Sequence, residues 1–100
     1  MTYQVVVTSE ARAEGRAMPP KIAEGLIDLL KQLAENPRPP EAKRLKGLGE
    51  CYRLRKGDYR VVYLVRDEKL LVIVIKGGHR SEVYKDLKET IKRRLETMNQ

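Results

Sequence analysis

Cys51 to Tyr63, C-Y-R-L-R-K-G-D-Y-R-V-V-Y, is the stretch from which the fold can be worked outward. Two runs enriched in β-branched and aromatic residues flank Lys56, Gly57 and Asp58. A Gly-Asp pair between such runs signals a hairpin, because both residues tolerate positive φ. A two-residue loop at Gly57-Asp58 pairs Lys56 with Tyr59, Arg55 with Arg60 and Arg53 with Val62. Strand side chains alternate between faces, so Arg53, Arg55 and Arg60 share one side of the ribbon while Tyr52, Leu54, Val61 and Tyr63 share the other. The expectation is one apolar face and one cationic face.

Like charges directly opposite each other weaken a sheet pair. Two readings of the arginines follow. They form a solvated outer face, as charged groups commonly do, or they await an anionic partner. Arginine suits phosphate because its planar fork donates at two points and stays charged at any working pH. A three-residue loop with a bulge would instead shift the register and divide the cluster.

The chain has 100 residues, which predicts a single domain spanning 1–100. Its core is small and aliphatic, with no Trp or Phe and with Tyr as the only aromatic. A formal charge of +7 favours contact with nucleic acid, an acidic protein or an anionic membrane surface. Cys51 is the only cysteine, so no internal disulfide can form and a reducing cytoplasm is the expected location. With one histidine and one cysteine, a Cys/His zinc site is excluded and neither metal nor cofactor is expected. No apolar run approaches the roughly 20 residues that cross a bilayer, and the first residues lack a signal-peptide pattern.

Outward from the hairpin, Tyr3 to Thr8 reads as a first strand. Ser9 is the predicted N-cap of a short helix ending near Ala17, before Pro19-Pro20. Pro20 opens a second helix, along which Ile22, Ala23, Leu26, Ile27, Leu30, Leu33 and Ala34 form one apolar stripe. Asn36-Pro37 stops it. Glu41 to Glu50 carries Lys43, Arg44 and Lys46 beside Gly47 and Gly49, and reads as a flexible lead-in to the hairpin whose basic groups extend a phosphate-binding footprint. After a turn at Asp67-Glu68, Leu70 to Ile75 is apolar on both faces, as in a strand sandwiched by covering layers or one sitting centrally in the sheet. Gly77-Gly78 ends it. Ser81 is the predicted cap of a last helix with Val83, Leu87, Ile91 and Leu95 on its stripe. The architecture that accommodates this order is α+β, with two helices on one face of a mostly antiparallel twisted sheet and the last helix near its edge or end.

The chain resembles toxins of the RelE/ParE superfamily, from type II toxin–antitoxin pairs. The resemblance rests on the order β-α-α-β-β-β-α, L-K-G at Leu45 to Gly47, Y-R-L-R, G-D-Y-R-V-V-Y, and G-H-R-S-E-V-Y at Gly78 to Tyr84. It is nearest to the RelE-like branch, which implies a ribosome-dependent, metal-independent endoribonuclease acting on messenger RNA. The cognate partner implied is a RelB-like, DNA-binding antitoxin, in a complex of higher oligomeric order. By position, Arg60 and Arg80 match the arginines such toxins bring to the scissile phosphate, and Tyr84 matches their C-terminal tyrosine. Arg53 and Arg55 fall where relatives often have lysines, and His79 lies in a loop where some relatives place a proton-transferring histidine.

Cleavage by 2′-hydroxyl attack needs a proton acceptor, a proton donor and cations for the phosphorane. Arg60 and Arg80 fit the last task, and Tyr84 can stack on a base. Arg53 and Arg55 are assigned to phosphate binding, His79 or Tyr84 to proton donation, and no residue to the base role, because an arginine is a poor base at neutral pH. Two other classes share the sequence features: a ParE-like inhibitor of DNA gyrase without RNase activity, and a nucleic-acid-binding domain that is not an enzyme.

Overall fold

A computed structural model of the chain describes residues 2–98. In order it contains β1 (Gln4–Val7), α1 (Ser9–Arg16), α2 (Pro20–Gln32), β2 (Lys43–Arg44), β3 (Cys51–Lys56), β4 (Tyr59–Arg66), a 3₁₀ turn (Asp67–Lys69), β5 (Leu71–His79) and α3 (Leu87–Met98). The five strands form one sheet in the order β1-β5-β4-β3-β2. β1 runs parallel to β5 and the other pairs are antiparallel. The α+β architecture expected from the sequence is present, with one addition: the lead-in to the hairpin contributes the two-residue strand β2.

The hairpin has the predicted register, Lys56 with Tyr59, Arg55 with Arg60 and Arg53 with Val62. Gly57 supplies the positive φ of +57°, and Asp58 keeps to the ordinary region, the pattern of a II′ turn. β5 is an interior strand between β1 and β4, covered on both faces as its apolar run predicts. Val72 and Val74 point to the layer formed by α1 and α2, where they meet Leu26, Leu33, Leu54, Val61 and Tyr63. Ile73 and Ile75 point the other way.

That second side corrects the picture of a purely cationic face. Cys51, Val62, Leu64, Ile73 and Ile75 form a second buried cluster with Val83 and Leu87, and Ile91 and Leu95 pack against it. α3 therefore covers part of the sheet face opposite α1 and α2. The cations of the hairpin occupy only what α3 leaves open.

Three helix boundaries or faces differ from expectation. Thr8, rather than Ser9, caps α1: its Oγ1 accepts the Ala11 N–H at 3.1 Å and donates to the Ile75 carbonyl at 3.2 Å. Ile27 belongs to the apolar stripe of α2 by spacing, yet it is half exposed. The last helix starts at Leu87, not Ser81. Residues 80–86 form turns instead, with Glu82 and Val83 both donating to the His79 carbonyl, and Asp86 at φ +49° separates them from α3. The chain folds back here because Val83 is fully buried and lies over Gly78, where a Cβ on the glycine would come within 3.8 Å of it.

β1 ends before the far half of β5, whose outer edge would otherwise go unpaired. Glu14 and Arg94 close that edge. Glu14 Oε1 accepts the Gly77 N–H at 3.1 Å, and Arg94 donates to both Glu14 carboxylate oxygens and to the Ile75 carbonyl. This pairing raises the pKa of Arg94 further, through its hydrogen bonds to Glu14.

Candidate nucleic-acid interface

The open part of the second face is built from rows that cross the sheet. One row runs Lys43, Arg53, Val62, Lys76; the next runs Arg55, Arg60, Gly78. Residues in register share a face, so Lys43, Arg53, Arg55, Arg60 and Lys76 project to one side. Ion pairs among the described residues involve other groups, which leaves Lys43, Arg53, Arg55, Arg60 and Lys76 without a carboxylate partner.

Arg60 is held by the turn beneath it. Its Nη1 donates to the Gly57 carbonyl at 2.9 Å and to the Tyr59 carbonyl at 3.1 Å. Those bonds use Nη1 alone, so the Nε and Nη2 donors remain for an oxyanion. Arg80 reaches the same turn from β5: its backbone N–H donates to the Asp58 carbonyl at 2.7 Å and its Nε lies 3.5 Å from Asp58 Oδ1. That ion pair is solvent-exposed on both sides and contributes little to stability. A phosphate can exchange with Asp58 at small cost. The guanidinium groups of Arg60, on β4, and of Arg80, just after β5, thus both contact this one turn.

Tyr84 is 40 % exposed. It sits between buried Val83 and the Lys85 carbonyl, outside α3, so it is not a packing residue of a helical stripe. The seating of Val83 on Gly78, the register partner of Arg60, carries this segment to the cationic side.

His79 is not brought into this group. It pairs with Tyr59, and their rings meet edge to face with centroids 5.4 Å apart. Tyr59 packs against the cluster under α1 and α2, so alternation puts both rings on the face opposite Arg60. Nδ1 accepts the Ser81 N–H at 3.2 Å and faces Ser81 Oγ at 2.8 Å. Arg44 and Lys46 are also separated. Arg44 is opposite Tyr52, donates to the Gly49 carbonyl and pairs with Glu50 at 2.9 Å. Lys46 lies in the β2–β3 turn, which joins the Cys51 end of β3 and not its Lys56 end. Gly47 and Gly49, at φ +80° and +65°, shape that turn and precede a strand, so they do not cradle a phosphate against a helix.

A family model described as the ParE toxin of the type II toxin–antitoxin system parDE matches residues 5–84. The chain belongs to the RelE/ParE toxin family. It is 40 % identical to the mRNA interferase toxin RelE of Escherichia coli K12 over 99 residues, covering 95 % of this chain and all of that one. It is 33 % identical to a putative toxin RelE1 of Methanocaldococcus jannaschii, over 86 % of this chain and 99 % of the relative. Among solved structures, an E. coli RelE toxin with two arginine-to-alanine substitutions, in the free state, superposes with a TM-score of 0.75 at 35 % identity, over 93 % of this chain and 98 % of that one. The toxin in the intact E. coli RelBE toxin–antitoxin complex superposes with a TM-score of 0.68 at 38 % identity, over 77 % and 95 % of the two chains.

Two features of this toxin-family chain escape a reading by alternation. The first is Lys76. Continuing the two-residue period from Val72 and Val74 would turn it toward α1 and α2. A bulge opposite Val62 and Tyr63 inserts one residue, so Ile75 and Lys76 both face the second side. No residue near Ile75 signals it.

The second is Arg38, which the sequence presents only as part of a Pro-rich connector. It donates to Tyr52 Oη at 2.8 Å, to Glu50 at 2.6 Å and to both oxygens of Asp67, at 3.1 and 2.8 Å. Tyr3 adds a 2.6 Å bond to Asp67. The hydrogen bond from Arg38 is the main reason that the Asp67 carboxyl is pulled down to about 2 and that of Glu50 also lies below its usual range. This network ties the connector, the start of β3 and the end of β4 together, at the opposite end of the hairpin from the arginine-rich turn. Its role is structural.

Proposed function

We propose that this chain is the toxin of a type II pair and that it cuts messenger RNA on the ribosome without a metal ion. The observation that carries the reading is that Arg60 and Arg80 both contact the Gly57-Asp58 turn and that Arg53, Arg55 and Lys43, on the same face as Arg60, have no carboxylate partner, while Tyr84 is exposed in the segment that follows Arg80. The 40 % identity to an mRNA interferase supports the same reaction class.

In the cleavage step the 2′-oxygen forms a bond to the adjacent phosphorus as its proton leaves to an acceptor. The P–O5′ bond breaks, and O5′ takes up a proton. The products are a 2′,3′-cyclic phosphate and a 5′-hydroxyl. Arg60 and Arg80 stabilise the charge that builds on the phosphorane oxygens, which preorganised donors do at no reorganisation cost. Arg53, Arg55 and Lys43 bind flanking phosphates. Tyr84, and not His79, is the proton donor in this proposal, because His79 points to the other face; Tyr84 also offers a stacking surface for a base. Arg44 and Lys46 contribute at most to peripheral phosphate contacts.

The partner is a cognate, RelB-like and DNA-binding antitoxin, in a complex of higher order in the cytoplasm. Toxins solved with RelB, and the charge of +7, support this. So does an apolar hollow of about 290 Å³ beside half-exposed Ile27, between α1 and α2.

Alanine at Arg60 or Arg80 should lower single-turnover cleavage of ribosome-bound message by about 100-fold or more each, the usual effect of removing one such donor. Full cleavage by a folded Arg60→Ala/Arg80→Ala protein would overturn the assignment. The family model is described for ParE toxins, which favours a second reading as a gyrase inhibitor. Growth arrest with intact messages and damaged chromosomes would select it.

A further inference from the structure

We infer that Lys76 is a positioning residue: its ammonium fixes the segment that carries Tyr84 onto the cationic face. The bulge at Ile75 is what makes this possible, since it directs Lys76 to the same side as Arg53 and Arg60. From there Nζ donates to the Lys85 carbonyl at 3.3 Å. That carbonyl lies one residue beyond Tyr84.

The segment 80–86 is thereby held on both sides of Tyr84. Val83 before it is seated on Gly78, an apolar contact that fixes depth. Lys76 after it supplies a directional bond. The segment needs the second anchor because its internal hydrogen bonds are those of short turns, and the left-handed Asp86 prevents it from being an extension of α3. Val83 and Leu87 are buried to either side, and between them the exposed Tyr84-Lys85 stretch could still pivot about those two side chains. Lys76 stops the pivot. It sits in the row of Lys43 and Arg53, so a bound phosphate also draws on the same ammonium's field.

The consequence for cleavage rests on the RNase reading, but the positioning role does not, and the experiment separates them. Lys76→Met keeps the aliphatic stem and removes the ammonium; Lys76→Arg keeps a cationic donor. Amide hydrogen exchange of the free protein should quicken about tenfold at Val83 and Lys85 in Lys76→Met, while amides of β4 stay unchanged and Lys76→Arg resembles the parent. In single-turnover cleavage Lys76→Met should lose about tenfold in the maximal rate with little change in the half-saturating RNA concentration, as for misplacement of a reacting group. Unchanged exchange at Val83 and Lys85 overturns the positioning role whatever the activity. A weaker half-saturation with an unchanged maximal rate also overturns it, because that marks a phosphate contact alone. If the parent protein cuts no message but exchange quickens in Lys76→Met, the positioning role stands and the RNase reading falls.

Discussion

Arg55 stands directly across from Arg60, and replacing it with Glu turns a repulsion into an attraction. Two unit charges roughly 6 Å apart in a medium as polar as water interact by about 0.7 kcal/mol, and residues opposite each other on a sheet contribute about 0.2 to 1 kcal/mol. The reversal spans twice that interaction, but Arg60 already spends Nη1 on two carbonyl oxygens, so the lower part of the range applies. Arg55→Glu should gain about 0.5 to 1 kcal/mol of unfolding free energy at low salt, and Arg55→Gln about half as much. With a urea slope of about 1 kcal/mol/M for a domain of this size, the midpoint rises by roughly 0.5 to 1 M. In 1 M NaCl, where the screening length is about 3 Å, the gain should vanish. The same substitution should cut message cleavage by at least about tenfold if Arg55 binds phosphate as proposed, because that cation has become an anion. A less stable Arg55→Glu, or a gain that salt does not touch, would show that the arginine face carries no electrostatic strain. A more stable protein that still cleaves normally would show that the strain serves something other than RNA.

Two further outcomes test the core and the Arg38 network. Cys51 is fully buried and its thiol is pushed up to about 12 by burial, so a thiol reagent at pH 8 should label it only through unfolding. The labelling rate should track the urea transition, and rapid native labelling would contradict the packing of β3 under α3. Asp67 has a folded pKa of about 2 against an ordinary 3.8. Its stabilisation is therefore complete above pH 4 and is lost as the pH falls from about 4 to 2. Unfolding free energy measured across that interval should decline less steeply in Asp67→Asn than in the parent.

What could be read without coordinates was whatever local chemistry decides. Gly57 and Asp58 set the hairpin register, the three- and four-residue spacing set α2, and the doubly apolar run marked β5 as a strand covered on both faces. What could not be read depends on distant partners. Thr8 and Ser9 are equally good caps by type, and the Ile75 carbonyl chooses Thr8. Val83 fits a helical stripe by spacing, and only its seat on Gly78 takes it out of the helix. Arg53, Arg55, Arg60, Arg80 and Tyr84 were legible as candidates through type and order. The exclusion of His79 follows from strand parity at the end of β5, and the inclusion of Lys76 from a bulge, neither of which leaves a mark in the residues themselves.

The parallel ladder of Gln4 to Val7 against Leu71 to Val74 has a temporal side. β1 leaves the ribosome long before β5, its one neighbour in the sheet among the described residues. At about 5 to 20 residues per second, several seconds separate the two, and a contact so distant along the chain closes slowly. A nascent chain that stops before Leu71 therefore leaves an orphan strand and an α1 without the strand it packs against, a target for proteolysis and not a half-working toxin.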